Sequence, residues 1–411
     1  MRVLLVVKSK AIETLGPMYL SAVIKHSGDE CKIVDIPSAP QVVSAWRPEV
    51  VGYSVMTGDQ AKFLALNETL KSLHSFLSVV GGPHATFFPR DFIDQGFDYV
   101  IPGEGENWFS YKWGENFKYT KLDEMPFPDR TDFPGMSVRD FISSRGCFGT
   151  CTYCFNDRWI GLFPEFPRIR YRSPENVIEE LKAVQAPYVY FQDSCFGVSM
   201  AWTRSFCKRY AQEISAPFQC HLRPILVTEE RVAILKRANC LAVRMALETA
   251  STKLLDLLGR PRTASKEVRR ASRTLRKYRI RYMIQNMLAL PTSTIDDDLN
   301  TLEVNIRCQP DYAWASIFSP FPGTALGDMC TTQGWYTGDY SDITDSFFDK
   351  SVLNFSEEYI EQTYVLQKIF ALAVEARLMP EMDELTYKTM PKFIHRAMRK
   401  IGDGRLYGGY L

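Results

Sequence analysis

No apolar run in the 411-residue chain reaches the roughly 18 residues that a bilayer-spanning helix needs. The start, Met1 to Val7, is a short apolar stretch met at once by Lys8 and Lys10. It has neither the length nor the small-residue cleavage site of a secretory signal. The 49 Lys and Arg nearly cancel the 48 Asp and Glu, leaving a formal net charge of +1. No overall field therefore favours nucleic acid or an anionic membrane. Internal repeats and low-complexity segments are missing too. Ten cysteines without a secretory signal imply a reducing, cytoplasmic setting in which thiols stay free. Cys31, Cys195, Cys207, Cys220, Cys240, Cys308 and Cys330 are scattered singly and read as small buried core residues. The length allows two to three domains, and 45% hydrophobic with 24% charged residues is ordinary for a globular protein.

The remaining cysteines are not scattered. Cys147, Cys151 and Cys154 stand three and then two residues apart in Cys147-Phe148-Gly149-Thr150-Cys151-Thr152-Tyr153-Cys154. At this density in a reducing compartment, thiolates hold metal more readily than they form disulfides. Zinc takes four ligands, usually as paired Cys-x2-Cys or His partners, and none lie nearby. Four thiolates would close an iron–sulfur cluster. Three close three corners, and no fourth Cys lies within forty residues on either side. One iron is then open to a small molecule, which makes the site catalytic rather than structural.

The stretch closely resembles the cysteine motif of the radical SAM superfamily. The resemblance implies a [4Fe–4S] cluster on Cys147, Cys151 and Cys154, whose open iron chelates S-adenosylmethionine (SAM). One electron from the cluster then cleaves SAM to a 5′-deoxyadenosyl radical. An aromatic residue before the third Cys is typical of the family, and Tyr153 fits; the resemblance places it beside the adenine.

Ahead of this motif, strands alternate with helices. Val3 to Val7, Cys31 to Val34, Val50 to Val55, Val79 to Gly81 and Asp98 to Ile101 read as strands, with helices at Gly16 to Lys25 and Gln60 to His74. The alternation predicts a parallel, doubly wound, Rossmann-like sheet over residues 1–106. Such sheets bind ligands at the carboxyl ends of their strands. Ser54 and Thr57 fall there, as do Gly81, Gly82 and His84 of Gly81-Gly82-Pro83-His84-Ala85-Thr86, and Gly103-Glu104-Gly105-Glu106. The region resembles the flavodoxin-like cobalamin-binding domain fused to one branch of radical SAM enzymes. The D-x-H-x-x-G motif that supplies an axial histidine in cobalamin mutases is missing: His26, His74 and His84 all lack an Asp two residues before them. The domain either binds cobalamin without an axial protein histidine or keeps the fold and binds nothing. Residues 107–137 read as a linker.

From 138 to 330 the pattern is again strand and helix. Strands are expected at Val138 to Ser143, Tyr188 to Phe191, Phe218 to Arg223, Leu241 to Leu247, Tyr282 to Leu288 and Ala313 to Phe318. Six of them match the partial (β/α)6 barrel of the superfamily, whose chemistry gathers at the carboxyl ends of the strands. Asp193 there could bond the substrate or the SAM amino group. Arg223 could pair with the SAM carboxylate as a fork. Glu248, in a segment similar to the branch's "GIESGS", would reach the ribose, and Gln285 and Asn286 would hold ribose or adenine. Leu288-Ala289-Leu290-Pro291-Thr292 stands where the branch has "GLPG", with both glycines exchanged for larger residues. Pro320-Phe321-Pro322-Gly323-Thr324 resembles the branch's "PYPGT" turn and reads as architecture. Residues 331–411 read as a loop that could cover the barrel mouth, followed by two helices. Basic residues on the second, Lys392 to Lys400, read as a solvated face.

The resemblance implies an enzyme that abstracts hydrogen from a small-molecule substrate, with a flavodoxin, ferredoxin or reductase as electron donor and neither nucleic acid nor membrane as partner. Cobalamin-dependent C-methylation is the leading expectation. The alternative is cobalamin-free dehydration, cyclisation or rearrangement, as in diol-dehydratase-like radical SAM enzymes. A cluster-bearing sensor would not need the barrel. A methylthiotransferase would need three further cysteines near the start, where only Cys31 is present.

Overall fold

The computed structural model describes residues 1–112, 119–343 and 346–402. Residues 113–118 of the expected linker, 344–345 of the expected loop and 403–411 at the end of the chain lie outside them. The chain divides into two compact units. One comprises Met1–Phe141, Phe163–Phe166 and Arg170–Val184, the other Ile142–Leu162, Pro167–Ile169 and Gln185–Leu411. No helix among the described residues is long and apolar enough to cross a membrane.

The first unit is built on β1 (Arg2–Val7), β2 (Glu30–Asp35), β3 (Val50–Ser54), β4 (Leu77–Gly81) and β5 (Tyr99–Val100), in the order β2-β1-β3-β4-β5. All pairs are parallel. Val3 to Val7 are buried without interruption, as expected of a strand covered on both faces. Leu4, Val6, Val51, Tyr53 and Val80 meet Phe63, Leu66 and Leu70 of the helix Gln60–Leu73 in one core. The strand order is the flavodoxin-like one, whose ligand crevice opens where the order reverses, at the ends of β1 and β3. Sequence periodicity pointed to the loop after β3 but not to the one after β1, because only topology shows that the two adjoin.

That second loop is anchored by buried charge. Glu13, 5% exposed, accepts the Asp140 backbone N–H at 2.7 Å and pairs with Arg130 and Arg139. Arg130 continues to Glu180 at 2.9 Å, and Glu180 to Arg172. Glu180 belongs to the helix Pro174–Val184, read from sequence as part of the barrel. Its contacts group it with the first unit, because its buried carboxylate serves this network. The end of the expected linker is likewise tied down: Asp129 accepts Lys25 and Ser21, and Asp132 accepts the Ile33 N–H. β6 (Val138–Phe141) ends the first long segment of this unit.

Within the second unit, β7 (Tyr188–Phe191), β8 (Phe218–His221), β9 (Cys240–Glu248), β10 (Arg281–Leu288) and β11 (Tyr312–Ile317) each pair in parallel with the next in sequence. Winding in one direction is the barrel pattern rather than the doubly wound one. Paired residues share a face, so His221 is level with Arg244, and Ala246 with Gln285. The helix Glu357–Ala376 packs through Leu366, Ile369, Phe370 and Ala373 into the same core as Ala313, Ala315 and Ile317 of β11. Residues of the expected barrel-mouth loop run beside β11, where the Phe347 carbonyl accepts the Ile317 N–H at 2.8 Å. In the basic helix Met390–Ile401, Arg396 is engaged by Glu381 and Glu384.

The helix Glu357–Ala376 also braces the turn after β10. Tyr359 donates to Asp298 at 2.7 Å, and the Ala289 N–H reaches the same carboxylate at 3.4 Å. Ala289 and Thr292 adopt left-handed backbone, φ +54° and +65°. These are the two positions where the family pattern carries glycine, so the turn is kept without the residues that form it most easily. Burial pushes the Asp298 carboxyl up to about 7, against the lowering effect of the Tyr359 bond. Unfolded, the same group titrates near pH ~4. Between these values the folded protein holds a proton that the unfolded chain has lost, so stability falls as pH rises through this window and is level above it. Asp298→Asn is expected to flatten that slope, shrinking the stability difference between pH 5 and pH 8 by about 2–3 kcal/mol. Chemical denaturation at both pH values checks this. An unchanged difference counts against it.

Candidate active site

The cysteine loop is held from three sides within the second unit. Asp193, at the end of β7, is completely buried and accepts the Ser143 N–H at 3.0 Å, the Ser143 hydroxyl at 2.7 Å and the Ser144 hydroxyl at 2.5 Å. These serines lead directly into Gly146 and Cys147. Further on, Thr152 donates its hydroxyl to the Leu257 carbonyl at 2.7 Å and its N–H to Leu258. The Thr152 carbonyl accepts the Leu326 N–H at 2.8 Å. Leu326 lies in the helix Ala325–Thr332, which is capped by Thr324 and begins just after the Pro320 to Thr324 turn. That turn, read as architecture, thus sets the helix that braces the cysteine loop.

A cavity of about 180 Å³ is lined by Cys147, Cys151 and Cys154 together with Tyr153, Arg223, Arg244, Glu248, Arg260, His221 and Gln285. Each sulfur meets one donor. The Gly149 N–H lies 3.4 Å from Cys147 Sγ, the Asn156 amide 3.5 Å from Cys154 Sγ and the Arg260 guanidinium 3.9 Å from Cys151 Sγ. Donors on all three sulfurs suit thiolates that carry negative charge into a cluster. Among the described residues, no three His, Cys, Asp or Glu side chains converge on a point suited to a single metal ion. Three sulfurs, each with its own donor, fit a three-cysteine cluster whose thiolates bind at different irons. A side chain at position 149 would intrude here: a Cβ would stand 2.7 Å from Arg223 and 3.6 Å from both Cys147 and Cys151 sulfurs.

Around the sulfurs, Tyr153 donates to Glu248 at 2.7 Å, and Arg260 lies 3.9 Å from the same carboxylate while donating to the Ala246 carbonyl at 2.9 Å. Burial, reinforced by the Glu248 charge, raises the Tyr153 hydroxyl well above its usual range, so it remains a donor. Glu248 ends β9 in a left-handed conformation, φ +69°. A non-glycine residue held there is the kind of strain that gathers at functional sites. Arg223 stacks over Phe148 with its guanidinium carbon 4.9 Å from the ring centre. It follows β8 at the start of a short 3-10 turn rather than on the strand itself.

The structure thus gathers Cys147, Cys151, Cys154, Tyr153, Arg223, Glu248 and Gln285 on one cavity. It leaves out two expected residues. Asp193 spends both oxygens on the serines that precede the cysteine loop. Asn286 is buried on the opposite face of β10, where it exchanges amide bonds with Asn305 at 3.2 and 2.8 Å and donates to the Trp314 carbonyl at 2.9 Å. Strand alternation sends Gln285 inward and Asn286 outward. Arg260, His221 and Arg244 were missed. Arg244 shares the parity of Glu248 on β9, a signal that strand alternation alone could have supplied.

In the first unit, Ser54, Thr57, Gly81 and Gly82 come together at the ends of β3 and β4, where Val55 N–H bonds the Gly81 carbonyl. Gly82 has φ +93°, and a Cβ there would lie 2.7 Å from the Val55 nitrogen. His84 is fully buried, with Nδ1 3.1 Å from the Thr57 hydroxyl and Nε2 3.1 Å from Asp91. Burial lowers its pKa despite Asp91. Both ring nitrogens are occupied, so His84 joins two loops instead of offering itself to a ligand.

The family model for the radical SAM superfamily matches residues 141–304, and that for the B12 binding domain matches residues 1–110. An uncharacterized methyltransferase of Pyrococcus horikoshii is 25% identical over 382 residues, 78% of this chain and 80% of that protein. Cytidylyl-2-hydroxyethylphosphonate methyltransferase of Streptomyces wedmorensis is 21% identical over 345 residues, 60% of this chain and 63% of that protein. Among solved structures, the radical S-adenosylmethionine methyltransferase TsrM from Kitasatospora setae, with cobalamin and a [4Fe–4S] cluster bound, superposes with a TM-score of 0.66 at 15% identity. The match covers 81% of this chain and 78% of that one.

Proposed function

We propose that this chain, whose residues 141–304 match the radical SAM superfamily and whose residues 1–110 match the B12 binding domain, is a cobalamin-dependent methyltransferase acting at carbon on a small molecule. When bound, the cluster and SAM supply a 5′-deoxyadenosyl radical for hydrogen abstraction, and cobalamin supplies the methyl group. The chain's own residues hold and orient these groups. Cys147, Cys151 and Cys154 grip three irons. Arg223 offers a fork to the SAM carboxylate, and Glu248 and Gln285 offer bonds to the ribose and adenine, with Tyr153 and Arg260 fixing the Glu248 carboxylate. Ser54, Thr57, Gly81 and Gly82 border the cobalamin at the strand ends of the first unit. His84, committed to Thr57 and Asp91, would not be the residue that holds it.

One observation carries this reading: three cysteine sulfurs, each with its own donor, face a cavity whose described lining holds no fourth thiolate. The methyltransferase relatives favour methylation over dehydration. Anaerobically reconstituted protein loaded with hydroxocobalamin tests it. After gel filtration the chain is expected to retain about one corrinoid, to form methylcobalamin from SAM and to release 5′-deoxyadenosine under reductant. Full SAM cleavage with no retained corrinoid would remove the methylation half of the proposal.

A further inference from the structure

The cavity carries three guanidinium groups, Arg223, Arg244 and Arg260, beside the Glu248 carboxylate and the three cysteine sulfurs. Arg260 is spoken for by Glu248 and Cys151, and Arg223 stands against the cysteine loop. With the Arg223 fork assigned to SAM, Arg244 remains. Its Nε donates to Gln219 Oε1 at 3.3 Å and its plane lies over the Tyr190 ring at 4.4 Å, but its two terminal nitrogens have no partner among the described residues. Beside it, His221 Nε2 is 2.6 Å from the Tyr190 hydroxyl, and the ring stacks on Tyr190. His221 Nδ1 likewise has no described partner. Burial and the neighbouring Arg244 lower the His221 pKa to about 4, so the ring is neutral at ordinary pH. A neutral ring that accepts the Tyr190 hydroxyl at Nε2 carries its proton on Nδ1 and offers it as a donor.

We propose that Arg244 and His221, braced by Tyr190 and Gln219, form the subsite that receives an anionic group of the substrate, a carboxylate or a phosphate. The proposal rests on the radical SAM reading of the same cavity. A guanidinium fork whose terminal nitrogens are unengaged in a concave, partly desolvated site gains from an arriving anion, and it matches the planar geometry of such groups. Register separates this subsite from SAM. Arg244 is level with His221, two residues below the Ala246–Gln285 level and four below Glu248. At the rise of a parallel strand, that places it roughly 6–7 Å below the Ala246–Gln285 level and about twice that below Glu248.

Titration of the reconstituted holoenzyme with inorganic phosphate and with succinate, each in the presence of SAM, tests the subsite by calorimetry. Wild type should bind at least one probe saturably, and which of the two it binds identifies the anion class. Arg244→Gln should weaken that binding at least about tenfold, as expected for a lost charge-assisted bond. Tyr190→Phe should weaken it a few-fold, while SAM affinity moves less than twofold in both. Arg244→Lys, which keeps the charge without the fork, should fall between and decides the matter if Arg244→Gln misfolds. No binding of either probe to wild type, or binding indifferent to Arg244, overturns the proposal. A parallel loss of SAM affinity also overturns it and assigns Arg244 to SAM. SAM cleavage by the wild type, measured separately, tells failure of the radical SAM reading from failure of the subsite.

Discussion

Cys151→Ala is expected to lose the visible iron–sulfur absorption and to drop reductive SAM cleavage to background, a fall of at least about a hundredfold from a wild type with about four irons per chain. The reason is geometric. Three thiolates already leave one iron without protein; removing another leaves two corners, and Arg260 then faces a methyl group instead of a charged sulfur. Burial raises the Cys154 thiol, partly offset by bonds from Asn156, so metal coordination must supply the driving force for its deprotonation. Cys195 provides the control. It is buried near the same loop, and its thiol is pushed up to about 11, chiefly by burial, the mark of an inert core residue. Cys195→Ala should keep the full iron content and absorption. Iron analysis of both variants decides the assignment, and a Cys151 variant with normal iron would refute it.

The second large effect concerns stability in the first unit. Glu180 and Arg172 are 1% and 2% exposed and face each other, with Arg130 on the other carboxylate oxygen of Glu180. Glu180→Ala leaves a buried guanidinium without its anion and should cost about 3–5 kcal/mol. Glu180→Gln keeps the shape and one acceptor oxygen but not the charge, turning an NH2 group toward one of the two guanidinium groups, and should cost less, about 1–3 kcal/mol. Denaturant midpoints read both. A change for Glu180→Ala within about 0.5 kcal/mol, ordinary for a surface site, would mean the network contributes nothing. Because Arg130 links Glu180 to Glu13, the same variant should loosen the loop after β1, one wall of the proposed cobalamin crevice.

The two kinds of site were not equally legible. Cys147, Cys151 and Cys154 are neighbours in sequence, so the chemistry they share needs no fold to be recognised. Glu248 and Gln285 were readable as strand-end polar residues because alternation and barrel geometry confine chemistry to strand ends. The same logic misled at Asn286, where adjacency to Gln285 concealed a reversal of face. It misled again at Asp193, where a strand-end carboxylate is consumed by Ser143 and Ser144. His84 lies in a loop that resembles a ligand turn, yet Thr57 and Asp91, one distant in sequence and one near, take both of its nitrogens.

What the sequence determined alone was local and periodic: the cysteine spacing, the two runs of alternating strands and helices, and from these a flavodoxin-like domain followed by a parallel barrel. Such signals survive because spacing along a strand, helix or tight loop fixes spacing in space. What only tertiary structure decided was pairing between distant segments. Arg260 reaches Cys151 across more than a hundred residues, Glu13 meets Arg130, and Arg244 comes level with His221. Those juxtapositions depend on strand order and register, which no short stretch of chain encodes.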